Sequence, residues 1–170
     1  MKAIEYPKLL ASAIAVLKKQ GVISYPTEGV WGLGCDPMSE VAVRKVLRLK
    51  NRSISKGLIL IGSSHQQFAR LLEDLDDQSK RRFIEKRSKP TTWLVPSSDT
   101  IPRWITGDHD SVAVRITKHP VAKGLCEVFG RPIVSTSCNP QGAPPATSQS
   151  QVQEYFGDKL DYFVMGEVER

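Results

Sequence analysis

A chain of 170 residues, about 40% apolar and a quarter charged, suffices for one domain with a sizeable core and is short for two. Its 24 basic residues against 18 acidic ones give a net charge of +6, which favours an anionic partner: nucleotide, RNA or both. No apolar run is long enough for a bilayer, no signal-peptide core follows Lys2, and the scattered Cys35, Cys126, Cys138, His65, His109 and His119 exclude a zinc knuckle and a redox Cys-x-x-Cys, so a reduced cytoplasmic protein is expected.

Leu9, Leu10, Ala13, Ile14 and Leu17 repeat at helical spacing, with Gly21 placed to end the helix. Val22 to Tyr25 reads as a short buried strand stopped by Pro26, followed by a glycine-rich loop from Pro26 to Pro37. Ser39 is a good N-cap for a helix whose apolar side carries Val43, Val46 and Leu47 and which reaches Lys50. Gly57 to Gly62 is an apolar run of strand formers. Helical segments are expected at Gln66–Leu72 and Gln78–Arg87, then strands at Thr91–Val95 and Val112–Ile116. Pro120 suits the first position of a helix ending near Phe129 and Gly130. A strand at Ile133–Thr136, a helix from Ser148 to Phe156 and a strand at Tyr162–Met165 complete the chain. Alternating strands and helices make the class α/β: one domain around a single twisted, mixed sheet.

No Gly-x4-Gly-Lys-Ser/Thr loop is present, and glycines 29, 32 and 34 depart from the dinucleotide fingerprint. The stronger signal is the run from Leu49 to Gly57. From Val41 to Leu72 there is no acidic residue, while Lys50, Arg52 and Lys56 gather where a helix ends and a strand begins. Such cations repel one another unless an anion lies between them, so this is either a phosphate site or a solvated basic loop. Ser135-Thr136-Ser137-Cys138-Asn139 sets hydroxyls, an amide and free backbone N–H groups at a strand end. They can cradle a nucleotide or simply satisfy their own turn. Arg115 lies inside an apolar strand and needs either an acidic side chain or a bound anion.

These pieces, in this order, resemble the YrdC-like family of threonylcarbamoyl-AMP synthases. The resemblance is carried by Tyr25-Pro26-Thr27-Glu28, Gly32-Leu33-Gly34-Cys35-Asp36, Lys50-x-Arg52 with Lys56-Gly57-Leu58-Ile59, Pro102-Arg103-Trp104, Val114-Arg115, His119-Pro120 and Ser135-Thr136-Ser137-x-Asn139 with Gly142, across about residues 8 to 166. It implies a twisted sheet with a concave basic surface, and synthesis of threonylcarbamoyl-AMP from L-threonine, bicarbonate and ATP for tRNA threonylcarbamoyladenosine. Lys50, Arg52, Ser137 and Asn139 would then bind the nucleotide and its phosphates, with Thr92 and Ser135 as further contacts. Thr27 and Arg115 would hold threonine, and Lys56 and Arg52 would act at the reacting groups. Magnesium would ride on the phosphates rather than in a protein cage. Implied partners are tRNA or double-stranded RNA and the proteins that take the adenylate onward, with no membrane. The domain expected is 1–170, ending at Arg170 without the terminal extension common in relatives, which implies either a more open nucleotide site or a shortened or divergent member of the family. A non-catalytic RNA-binding module of the same fold is the alternative, since phosphate contacts dominate nonspecific RNA affinity. A carbamoyl-transfer domain of larger maturation proteins is a third reading, opposed by the single-domain length.

Overall fold

Each half of the chain contributes strands to one sheet, and the uneven covering of that sheet creates the site. The computed structural model describes residues 6–169; Lys2 and Arg170, named above, lie outside the described residues. Helix α1 (Tyr6–Lys18) buries Leu10, Ala13, Ile14 and Leu17. It ends before Gly21: the left-handed residue is Gln20 (φ 63°), and the Gly21 N–H donates back to the Val16 carbonyl at 2.9 Å.

Strand β1 (Ile23–Pro26) turns at Thr27–Val30 into β2 (Trp31–Gly34), pairing antiparallel with Ile23 opposite Gly34. The sequence expectation of a glycine-rich loop through 37 is corrected here, because Trp31–Gly34 within it is strand. The glycines serve close packing: a Cβ at Gly34 would meet the Val134 carbonyl oxygen at 2.6 Å and the Tyr25 ring at 2.7 Å. Helix α2 (Glu40–Lys50) starts as expected, with the Ser39 hydroxyl accepting from the Ala42 N–H at 3.2 Å.

A 3-10 turn at Ile54–Lys56 leads into β3 (Ile59–Gly62). A second one, His65–Phe68, leads into α3 (Ala69–Leu72), and α4 (Asp77–Ile84) stops three residues short of the expected end. Then come β4 (Thr92–Pro96), the unexpected short α5 (Arg103–Thr106) and β5 (Ser111–Ile116). Next are α6 (Pro120–Phe129), β6 (Ile133–Ser137), α7 (Gln149–Phe156) and β7 (Tyr162–Phe163). Proline opens α6, and Gly130 at φ 80° closes it by donating to the Cys126 and Glu127 carbonyls.

Among the described residues the sheet has seven strands in the order β4-β5-β3-β6-β2-β1-β7. The β3–β5 and β1–β7 pairs are parallel and the other four antiparallel, so the sheet is mixed, as expected. One face sends Leu33, Leu60, Val114 and Val134 into a core shared with Val43 and Val46 of α2, Ile105 of α5 and Val152 of α7. The other face is covered at one end only. There Ile23, Tyr25, Ile61 and Ile133 pack against Leu10 and Leu17 of α1 and Leu125 and Phe129 of α6.

Period-2 alternation puts Ile59, Ala113, Arg115, Ser135 and Ser137 on this second face, beyond the helices. The register aligns Ser135 with Ile59 and Ile59 with Ala113. That uncovered half-sheet is the floor of the candidate site.

Candidate functional site

The C-terminus of α2 explains how Lys50 and Arg52 come to lie together. Asn51 takes the left-handed conformation (φ 49°), so the Asn51 N–H donates to the Arg48 carbonyl and the Arg52 N–H to the Leu47 carbonyl at 2.9 Å. The chain folds back, leaving Lys50 pointing inward and Arg52 at the head of the next segment. The Ser53 hydroxyl caps the 3-10 turn that carries Lys56 by accepting from the Ser55 N–H at 3.2 Å.

Helix α5 buttresses this turn. The Leu58 N–H donates to the Ile105 carbonyl at 2.8 Å and the Asp108 N–H to the Ser55 carbonyl at 3.1 Å. Gly107 (φ 62°) comes so close that a Cβ there would sit 2.4 Å from the Ser55 carbonyl oxygen.

The Ser137–Asn139 turn is laced from the other side. The Cys138 N–H donates to the Trp31 carbonyl, the Trp31 N–H to the Ala146 carbonyl, and the Ala146 N–H to the Cys138 carbonyl, at 2.7–3.0 Å. The Gln141 N–H donates to the Lys50 carbonyl at 3.1 Å. Lys50 itself is 6% exposed. Its ammonium donates to the carbonyls of Ser137 and Asn139 and to Asn139 Oδ1. Burial pushes the Lys50 amine down to about 8, and the Arg52 charge acts in the same direction.

Across the cleft, the Thr27 hydroxyl closes the β1–β2 turn by donating to the Val30 carbonyl at 2.6 Å. Next to it Glu28 accepts at one oxygen from the Thr117 hydroxyl and the Lys118 N–H, both at 2.8 Å, and from the His119 N–H at 3.4 Å. Burial alone would raise this carboxyl, but the converging donors win and hold it below the usual range. Arg115 stands opposite Thr92 in the ladder, and its Nε donates to the Thr92 hydroxyl at 2.9 Å.

Three neighbouring spaces with shared lining residues result. A cleft of about 350 Å³ is lined by Thr27, Gly32, Arg52, Arg115, Ser135 and Ser137. A polar chamber of about 140 Å³ lies among Lys50, Arg52, Lys56, Ser137 and Asn139. A third, of about 210 Å³, has Arg52 and Lys56 at one side and Leu94, Thr106, His109, Ser111 and Ala113 around it. Arg52 lines all three.

Eight of the nine residues singled out from sequence therefore border the cleft or the polar chamber, which share Arg52 and Ser137. Thr92 is the exception, reaching the site only through Arg115. Sequence reasoning missed the third chamber. Its signal was the alternation of Ser111, Ala113 and Arg115 in β5, together with Leu94, which is 75% exposed on the neighbouring strand.

The electrostatics are one-sided. Among the described residues, the ion pairs join Arg44 to Glu40, Lys45 to Asp161, Arg87 to Glu85, Lys123 to Glu127 and Arg131 to Asp36. None involves Lys50, Arg52, Lys56 or Arg115. The acidic-partner explanation for Arg115 thus finds no residue to carry it among the described residues. Arg52 also keeps a buried Nε without a hydrogen-bond partner, its Nη2 donating to the Gly57 carbonyl at 3.1 Å. The Cys138 thiol beside the turn is buried, and burial pushes it up to about 12, far from a reactive thiolate.

Comparison with known proteins fixes the family. The family model Sua5/YciO/YrdC, described as telomere recombination, matches residues 15–170. The chain belongs to the Sua5/YciO/YrdC family. A threonylcarbamoyl-AMP synthase of Cellvibrio japonicus is 51% identical over 149 residues, which are 88% of this chain and 79% of that protein. The Sua5 of P. abyssi, solved in complex with L-threonine, superposes with a TM-score of 0.89 at 32% identity. That match covers 99% of this chain, which spans about half (49%) of the P. abyssi protein. E. coli YciO shares the family fold, with a TM-score of 0.82 at 21% identity over 96% of this chain and 80% of its own.

Proposed function

We propose that this chain is an L-threonylcarbamoyladenylate synthase, which makes threonylcarbamoyl-AMP and pyrophosphate from L-threonine, bicarbonate or CO2, and ATP, in the service of tRNA threonylcarbamoyladenosine formation. One observation carries the reading. Arg52, Lys56 and Arg115 converge on neighbouring spaces with no carboxylate paired to any of them among the described residues, beside the hydroxyls of Thr27, Ser135 and Ser137. Unpaired cations around a polar cleft are a receptor for a polyanion. The curated relative's name and the threonine held by the P. abyssi relative support the same reading.

The roles follow from side-chain chemistry. Arg115, oriented by Thr92, offers its remaining N–H groups to the threonine carboxylate, with Thr27 on the opposite wall. The threonine amine adds to CO2 and releases a proton to give a carbamate. A carbamate oxygen then forms a bond to the α-phosphorus, while the P–O bond to the β-phosphate breaks and its electron pair leaves with pyrophosphate. Both partners in that attack are anions, so the requirement is preorganised positive charge rather than a covalent nucleophile. Arg52, common to all three spaces, and Lys56 supply it where the two anions meet, while Ser135, Ser137 and Asn139 receive the nucleotide.

Magnesium belongs to this proposal only as a companion of the ATP phosphates. The cationic lining does not fit a divalent cation, and no group of three or more His, Cys, Asp or Glu that could hold one exists among the described residues. No step is derived through it. A cytoplasmic location, contact with tRNA or double-stranded RNA, and hand-over to a threonylcarbamoyl-transfer protein complete the reading. No helix among the described residues is long and apolar enough to cross a membrane.

The RNA-binding alternative needs the basic surface but not Arg115 aimed into a cleft beside Thr27. The deciding assay is pyrophosphate release from ATP with threonine or bicarbonate omitted in turn. Release that requires both supports the synthase. Release indifferent to both, or none alongside salt-sensitive tRNA binding, moves the assignment to the alternative.

A further inference from the structure

Lys50 differs from Arg52, Lys56 and Arg115 in where its charge is engaged. An ammonium has three N–H donors. Here they meet the Ser137 carbonyl, the Asn139 carbonyl at 2.9 Å and Asn139 Oδ1 at 3.1 Å, with the Ser137 hydroxyl oxygen at 3.5 Å. The turn is wound around this contact. The Ser137 hydroxyl donates to Asn139 Oδ1 at 2.6 Å, and Asn139 Nδ2 donates to the Ala143 and Pro140 carbonyls at 2.8 and 3.3 Å. Without a cation at the centre, oxygens that now converge would repel and the turn would open.

We propose that Lys50 is a positioning residue, whose ammonium clamps the Ser137–Asn139 turn into the shape that receives the nucleotide and does not itself contact the phosphates. The proposal rests on the synthase reading for the identity of the ligand, but not for the clamp.

The groups facing Lys50 are few. Arg52 approaches from the chain beyond α2, Lys56 across the small chamber and the Cys138 thiol from within the turn, and no ion pair joins Lys50 to an acidic side chain among the described residues. With the amine near 8, the clamp loses a donor and gains a lone pair just above neutral pH. A lysine whose folded value is lowered leaves the unfolded chain binding more protons between the two values. Its contribution to stability therefore rises with pH from about 8 towards the ordinary lysine value of 10.5. Clamping and stability respond to pH in opposite directions, which separates a positioning role from a merely structural one.

The test has three arms. In the first, backbone amide signals of Asn139 and Gln141 are followed by NMR in the wild-type protein from pH 6.5 to 9.5 (a range set about the value of about 8). Titration together near 8 supports the clamp, and flat profiles overturn it. This arm needs no activity, so it stands even if threonine-dependent pyrophosphate release is absent and the synthase reading falls.

In the second arm, Lys50→Arg and Lys50→Met are compared for ATP affinity. The wide planar guanidinium cannot replace an ammonium in this cup, so both lose roughly tenfold or more. Retention of affinity by Lys50→Arg would mean that charge on phosphate is what matters, and would overturn the proposal. In the third, Lys50→Met, Asn139→Ala and the double variant form a cycle. If both act through one turn, the double variant is no weaker than the worse single one, whereas additive losses overturn the clamp. Should Lys50→Arg fold poorly, the wild-type pH dependence of KM for ATP replaces it. A rise above about 8 without a matching loss of thermal stability supports the clamp, and a flat KM overturns it.

Discussion

At the scale of single residues, the site is a set of cations and hydroxyls whose protein contacts are incomplete. Arg115 shows it well. Its Nε is held by Thr92 at 2.9 Å and no ion pair completes it among the described residues, so its outer N–H groups remain for a ligand. Arg115→Lys keeps the charge but loses the fork, and is expected to raise KM for threonine at least roughly tenfold with a smaller effect on KM for ATP. Thr92→Val removes only the orienting hydroxyl and is expected to raise the same KM by roughly tenfold to a hundredfold, the worth of one hydrogen bond to a charged group. Steady-state kinetics with each substrate varied checks both.

Glu28, the neighbour of Thr27 in the chain, ties the β1–β2 turn to the Thr117–His119 segment. Its folded value lies below the ordinary carboxylate value, so its contribution to stability is present above the unfolded value and is lost as pH falls through the folded one. Glu28→Gln is therefore expected to be less stable than wild type at neutral pH, and the difference should shrink in acid. Thermal melts of both proteins across that range decide it.

At the scale of elements, the cap residues and strand runs were legible in sequence and the two unexpected elements were not. Ser39, Ser148 and Pro120 open their helices as read, because capping is a local property of one or two residues. Strand β2 was hidden because Gly32 and Gly34 lower strand propensity. The structure uses their lack of a side chain to bring the Tyr25 ring and the Val134 carbonyl close, a contact between segments about a hundred residues apart. Helix α5 is four residues long and held by tertiary contacts, below the length at which a periodic pattern can show.

The candidate site was more legible than these elements, since Lys50, Arg52, Ser137 and Asn139 are chemically conspicuous and need only one shared cleft to be explained. What sequence could not show was that Lys50, although it borders the polar chamber, directs its ammonium onto the turn's carbonyls and amide oxygen.

Helix α5 also carries a prediction. Gly107 has φ 62°, and a Cβ there would lie 2.4 Å from the Ser55 carbonyl oxygen. Gly107→Ala must therefore displace the turn bearing Lys56 as well as strain its own backbone. A loss of about 1–3 kcal/mol in stability is expected from the strain, with kcat falling by more than global unfolding explains. Denaturant titration and kinetics on the folded fraction separate the two effects.

At the scale of the whole molecule, one face of the sheet is fully used for stability and the other is shared between stability and function. Helices α1 and α6 cover the end that holds Ile23, Tyr25, Ile61 and Ile133, and leave the row Ser135–Ile59–Ala113 open. If the open half exists to receive ligand, filling it should harm binding and spare the fold. Ala113, half-buried in the wall of the third chamber, and Ala122, fully buried on α6, make a matched pair for this test. Ala113→Leu projects into about 210 Å³ of free space, so stability should stay within about 0.5 kcal/mol of wild type while ATP binding is lost. Ala122→Leu forces the same added volume into a closed core and should cost about 1–3 kcal/mol, with KM values unchanged in the folded fraction. Equal destabilisation by the two, or unaltered ATP binding in Ala113→Leu, would show that the uncovered half-sheet is not where the nucleotide goes.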